Sequence, residues 1–199
     1  SGYKYMLIVT SDEAKARKMC DDASFFNREA IYYPAKDAIF YSADVHGNQI
    51  TGERLRCISR IINHSSIGEG VLTVVTTMDG IADRLIPVER FKEAVITLDY
   101  SSEIEPEKLA KKLVAMGFVR TGMVEDKGQF AIRGGIIDIF SYTDEAPVRI
   151  ELWDTEVDSI RMFDVESQRS IERLQSYSIF PATEYIFTED ELKNGLYNI

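Results

Sequence analysis

The spacing of hydrophobic positions changes period near the middle of the chain. Tyr5–Val9 is a short unbroken apolar run, the pattern of a strand buried on both faces. Thr10 follows, with Glu13 three residues on in a capping-box spacing, and Ala16, Met19, Cys20, Ala23 and Phe26 then recur at helical intervals. Ala30–Tyr33 is a second apolar piece, stopped by Pro34. A turn-rich stretch over 35–49 leads to Thr51, which reads as the cap of a helix with Leu55, Ile58 and Ile62 on one face. Gly68 and Gly70 precede another buried strand, Val71–Thr76, and Thr77 or Asp79 opens a short helix ending near Leu85–Pro87. Strand and helix alternate three times, the arithmetic of a parallel sheet covered by helices.

Beyond Phe91 the pattern is different. Val95–Leu98 reads as a short strand, and Pro106 starts a helix with Leu109, Leu113 and Met116 on its apolar stripe and Gly117 as its stop. Period two then takes over in Gln129–Arg133, Ile136–Phe140, Val148–Trp153 and Val157–Phe163, separated by Gly134-Gly135 and two short polar turns. This predicts an antiparallel meander carrying one helix. The expected organisation is an α/β domain over 3–92, a small α+β domain over 93–182, and the start of a further element over 183–199. The chain opens Ser-Gly rather than Met, which reads as a piece of something longer.

Composition adds exclusions. Of the 199 residues, 33 are Asp or Glu and 23 Lys or Arg, a net charge of −10. Affinity for nucleic acid comes largely from cations that displace condensed counterions, so general DNA or RNA binding is not expected of this piece. No apolar run approaches the ~18–20 residues that cross a bilayer. Cys20 and Cys57 are too few for a disulfide framework and read as reduced thiols.

Several motifs fail chemically. Gly47–Gly52 has the glycine spacing of a phosphate-binding P-loop, but Glu53 and Arg54 stand where Lys and Ser or Thr must meet phosphate and magnesium. A turn and helix cap is the expected reading. His46 and His64 have no partner at metal-ligand spacing and read as surface histidines. No nucleophile elbow or Cys/His motif is present, and no catalytic residue, cofactor or metal is assigned.

The meander carries the most information. Strand alternation puts Arg149, Glu151 and Trp153 on one face and Ile150 and Leu152 on the other. The Ile/Leu face has the character of core. The single Trp then shares the wetter face with an arginine, and both residue types are enriched in binding hot spots. Arg133 ends the first meander strand, where Gly134-Gly135 can aim it outward. A Trp that merely covers a sheet edge is the competing reading from pattern alone.

Three stretches resemble a known family. Gly128–Phe140 resembles the "GEFAVRGGILDIF" signature of bacterial transcription-repair coupling factors, Pro147–Arg161 their "PVRIELFGDEIDSIR", and Phe163–Ser170 their "FDPETQRS". Ile50–Leu55 and Val74–Thr77 agree more loosely. Component B of excinuclease ABC shares this module and is the alternative, with ATP and damaged DNA as ligands. It carries a long tyrosine-rich hairpin, for which the segment after Pro34, with Tyr32, Tyr33 and Tyr41 nearby, leaves no room.

The resemblance implies an amino-terminal module of two parts. The first is a degenerate helicase-like domain with a P-loop NTPase fold and no ATP hydrolysis. The second is a non-catalytic domain that recruits component A of excinuclease ABC to stalled RNA polymerase in nucleotide excision repair. The motor that uses ATP and Mg, an ATP-dependent DNA translocase, and the RNA polymerase and DNA contacts belong to other parts of the parent, a bacterial cytoplasmic protein. Carried over by motif, the partner-binding residues are Arg133, Arg149 and Trp153, with Trp in place of the family's usual Phe and Thr155 in place of its turn Gly.

Overall fold

A computed structural model describes residues 3–26, 29–36, 45–67, 70–83 and 85–186, with backbone alone at 45–48 and 65–67. They form two compact units, Ser1–Leu85 and Ile86–Ile199. The sequence-expected start of a further element at 183–199 lies outside the described residues beyond Ile186, as does Tyr41.

The first unit is mixed α/β. Strands β1 (Tyr5–Thr10), β2 (Ala30–Tyr33) and β3 (Leu72–Thr77) form a parallel sheet in the order β1-β3-β2. Helices α1 (Glu13–Phe26), α2 (Val45–Ile67) and the short α3 (Met78–Ala82) alternate with them. The central β3 is buried on both faces as expected, with Leu72 and Val75 fully enclosed. The edge strand β1 is not: Leu7 is 59% exposed and Met6 46%. Both strands read alike because an apolar run records what a segment can bury, whereas position within the sheet decides how many neighbours it receives.

Caps also move. The start of α1 is held by Asp12, whose Oδ1 accepts the Lys15 backbone N–H at 2.9 Å, rather than by Thr10. Helix α2 starts six residues before Thr51, so Thr51 is internal and the Gly47–Gly52 backbone is helical. At α3 the cap is as expected, Thr77 Oγ1 accepting from Gly80 N at 3.1 Å. His64 is buried rather than superficial, its Nε2 3.2 Å from the Lys4 carbonyl oxygen and its ring edge-on to Tyr5. Cys57 is buried, and burial pushes its thiol up to about 12, so it acts as a small hydrophobe. Both cysteines are free.

The second unit begins with α4 (Val88–Ala94), and the sequence-based boundary between 92 and 93 falls inside this helix. A two-stranded sheet pairs β4 (Ile96–Asp99) with β11 (Ser176–Ile179), far apart in sequence. Helix α5 (Pro106–Ala115) has Pro at its first position. It ends in a Schellman arrangement, with Gly117 N–H on Val114 O and Phe118 N–H on Leu113 O, both 3.0 Å. Gly117 takes φ +89°, and a Cβ there would lie 2.7 Å from Thr183 Cγ2.

The meander strands β6 (Gln129–Arg133), β7 (Ile136–Phe140), β8 (Val148–Trp153) and β9 (Glu156–Phe163) pair antiparallel in sequence order. The sheet has six strands, because β5 (Val119–Arg120) adds parallel to β6 and β10 (Ser170–Arg173) adds to β9. Neither addition shows period two: β5 has two residues and β10 is exposed throughout. Leu109 and Leu113 of α5, with Met116 just past its end, pack on Phe130, Ile137, Ile139, Ile150 and Ile160, which form the core face of this sheet.

A polar pair, its tyrosine buried and its acid partly so, ties β11 to the loop after β7. Tyr177 OH donates to Asp144 Oδ2 at 2.5 Å. Burial, then the adjacent Asp144 charge, pushes the Tyr177 phenol well above its ordinary value, and burial raises the Asp144 carboxyl. A phenol whose folded pKa is raised contributes stability that is present below its unfolded pKa of ~10 and lost as pH rises toward the folded one. Urea unfolding of the wild type is therefore expected to weaken steadily above pH ~10, and Tyr177→Phe to lower stability at neutral pH while flattening that alkaline decline. An unchanged alkaline slope in Tyr177→Phe counts against the pair.

Candidate partner-binding face

Register fixes which residues share the face opposite α5. Arg133 pairs with Ile136 and Ile136 with Glu151, while Asp138 pairs with both Ala131 and Arg149. Paired residues point to the same side of a sheet. Arg133, Asp138, Arg149 and Glu151 therefore lie together, opposite the buried Ile137 and Ile150, as alternation in the sequence predicts. The face is not uniformly wet. Ala131 and Phe140 are buried in a small second cluster with Val124, against which Val165 packs.

The three sequence-derived residues differ sharply in exposure. Trp153 is 79% exposed at the end of β8. The turn after it uses Asp154 at φ +59°, a conformation that Asp tolerates better than most residues, so Thr155 is spared the left-handed position. Gly134 takes φ +61° in the β6–β7 turn, and a Cβ on Gly135 would lie 2.9 Å from the Leu152 carbonyl oxygen. Leu152 N–H also donates to Gly135 O at 2.8 Å. The double glycine thus fastens the Arg133 turn to the strand end that carries Trp153. Arg133 keeps a side-chain exposure of 41%.

Arg149 departs from the expected exposed patch. Its side chain is 11% exposed. Its Nε donates to Asp138 Oδ1 at 2.6 Å and its Nη2 to Asp138 Oδ2 and Gln168 Oε1, both at 2.8 Å. Its guanidinium lies over the Phe163 ring, 4.3 Å from the centroid. The Asp138 hydrogen bonds raise its pKa further. Arg133 Nη2 shares Asp138 Oδ2 at 2.6 Å. Two guanidinium charges thus meet one carboxylate, leaving one positive charge in excess at the exposed Arg133 end. Beside them Glu151 pairs with Arg161 and accepts from Ser159 Oγ at 2.7 Å, a locally neutral group.

The sequence does not assign Asp138, Gln168 or Phe163 to the site. Asp138 carried a signal: an acid within the apolar run Ile136–Phe140 must find cations when buried. Gln168 and Phe163 lie in a stretch that resembles the family, but nothing in that stretch shows that strand register and a turn bring them to Arg149.

The first unit has a cavity of about 500 Å³ beyond the carboxyl ends of its strands, where ligands of open parallel sheets bind. Asp12, Glu13, Asp79 and Asp83 line it against Lys36. Among the described residues, this lining is net acidic. Arg54, which stands at a P-loop hydroxyl position by spacing, is fully buried, donating to the Pro34 carbonyl oxygen at 2.7 Å and pairing with Asp83 at 3.3 Å. Among the described residues, no helix is long and apolar enough to cross a membrane.

The stretch that matches a known family lies within the second unit. Residues 96–185 match the family model of the UvrB interaction domain. The whole chain is similar to proteins named transcription-repair-coupling factor: 39% identical to that of Bacillus subtilis (strain 168) over 98% of this chain, and 36% identical to that of Staphylococcus haemolyticus over 96%. A Staphylococcus aureus (strain Mu50) relative is 36% identical over 95% of this chain. Residues 96–185 thus match the UvrB interaction domain, and along nearly its full length the chain is similar to transcription-repair-coupling factors. It spans 16% of the length of each of these relatives.

Proposed function

We propose that this chain is the non-catalytic adaptor segment of a transcription-repair coupling factor, docking component A of excinuclease ABC through the Trp153–Arg133 end of the six-stranded sheet. The observation that carries this reading is a lone, 79% exposed Trp beside an arginine-rich network with one uncompensated positive charge, inside a UvrB interaction domain. An exposed aromatic beside an exposed arginine is the composition of a binding hot spot, and the excess charge fits an acidic group beside an apolar pocket on the partner. The first unit is then a degenerate helicase-like domain, a reading supported by its parallel sheet and the acidic crevice at its strand ends. The domain limits proposed from the sequence, 3–92 and 93–182, go with this division of roles. Translocation on DNA with ATP and Mg, contact with RNA polymerase and residence in the bacterial cytoplasm belong to the parent protein on this reading. The alternative, a piece of excinuclease component B, finds less support, because the described lining of the crevice sets four carboxylates against Lys36.

Calorimetric titration against excinuclease component A tests the reading. Trp153→Ala is expected to weaken binding about thirtyfold, the effect of losing ~2 kcal/mol at a hot spot, with an unchanged melting curve. Trp153→Phe is expected to retain most of the affinity, since it keeps the aromatic anchor. Undiminished binding by Trp153→Ala would remove Trp153 from the interface.

A further inference from the structure

We infer that Asp138 is a positioning residue of the docking face, and that Arg149 acts on the partner through Asp138 and Arg133 rather than by touching the partner. The inference rests on the docking proposal above and assigns its members different roles. Asp138 is 1% exposed on a central strand, so its carboxylate is held by the sheet. Both oxygens are occupied: Oδ1 by Arg149 Nε, and Oδ2 by Arg149 Nη2 and Arg133 Nη2. Arg149 is enclosed on its remaining sides. Phe163 covers a face of its guanidinium and Gln168 takes its second Nη2 hydrogen bond.

Gln168 is itself fixed for this contact. It adopts φ +57°, a left-handed conformation uncommon for a residue other than glycine. Its backbone N–H donates to Asp164 O and its side-chain Nε2 to Val165 O, both at 2.8 Å. Arg149 is thus clamped from two elements, and the fork it makes with Asp138 sets the direction of that carboxylate. Arg133 touches the same carboxylate through a single Nη2 and leaves the rest of its guanidinium to solvent. An arginine pinned at one N–H presents the others in a fixed place, so less side-chain freedom is lost on association. The chain Gln168–Arg149–Asp138–Arg133 therefore preorganises the exposed cation at the Trp153 end.

The test is a pair of double-mutant cycles by calorimetry against excinuclease component A, with melting curves, using the full chain. Asp138→Asn and Arg149→Gln are each expected to weaken binding about tenfold, and the double variant no more than the worse single. In an Arg133→Ala background, Arg149→Gln is expected to add no further loss, a cycle that needs no change at Asp138. NMR supplies a readout without partner: the Arg133 Nη2–H signals, slowed in rotation and exchange in the wild type by the bond to Asp138 Oδ2, are expected to broaden or vanish in Asp138→Asn and Arg149→Gln. Ile150→Val, a core change that lowers melting temperature, is expected to leave both binding and those signals intact. Losses that multiply in either cycle, toward a hundredfold, overturn the inference by making Arg149 a direct contact. So does an Arg133 signal untouched by Arg149→Gln. Failure of the wild type to bind component A overturns the docking proposal, while the Arg133 signal still decides the role of Asp138.

Discussion

Arg149→Ala is expected to destabilise the second unit by about 3 kcal/mol or more, lowering its melting temperature by more than about 10 °C. The sequence places Arg149 in an exposed patch, where truncation would leave stability within ~0.5 kcal/mol. In the structure its side chain is 11% exposed and covers the Phe163 ring, and it makes the fork that neutralises the 1% exposed Asp138. Removing it leaves a buried carboxylate with only the single Arg133 contact. Loss of one member of a buried ion pair typically costs ~3–5 kcal/mol, and the surviving Arg133 bond puts the expectation at the lower end of that range. Replacing both partners by apolar residues, Asp138→Leu with Arg149→Met, is expected to recover most of the stability, because neither charge is then stranded. Urea unfolding of the two singles and the double measures the coupling. A melting temperature for Arg149→Ala within about 2–3 °C of wild type, the shift of a sub-kcal/mol change, would mean that the pair contributes little. Weakened partner binding by Arg149→Ala alone is thus poor evidence of contact.

Ile150→Ala is expected to lose about 2–5 kcal/mol, while leaving any properly folded fraction able to bind. Ile150 is fully enclosed, on the side of β8 opposite Arg149 and among Ile137, Ile160 and the α5 stripe. Truncation removes buried methylene and methyl groups and leaves a cavity between helix and sheet that neither element can close without moving the other. Leu152→Ala is expected to cost less, since Leu152 is only partly buried beside the same core. Thermal melts of the two variants beside Trp153→Ala give a ranking, with Ile150→Ala lowest and Trp153→Ala nearest wild type. If Trp153→Ala melts below Ile150→Ala, the two faces of β8 have been exchanged.

The two faces of the meander were legible because period two in Val148–Trp153 and Ile136–Phe140 depends only on the pleat, a local property of the backbone. The end of α5 was legible for the same kind of reason, since a glycine after an apolar stripe serves a local hydrogen-bond need. The family resemblance rests on contiguous residues and pointed to the stretch, 96–185, that matches the UvrB interaction domain. Tertiary structure decided what each member of the site does. Arg149 and Trp153 share one face by sequence, yet one is enclosed by Phe163 and Gln168 and the other stands free in solvent. Phe163 and Gln168 reach Arg149 through strand register and a turn, pairings that no short window of sequence contains. Placement decided burial in the same way for β1 and β3, two similar apolar runs. The central one has neighbours on both sides and the edge one has a single neighbour, because strand order is set by long-range packing rather than by the residues of the strand.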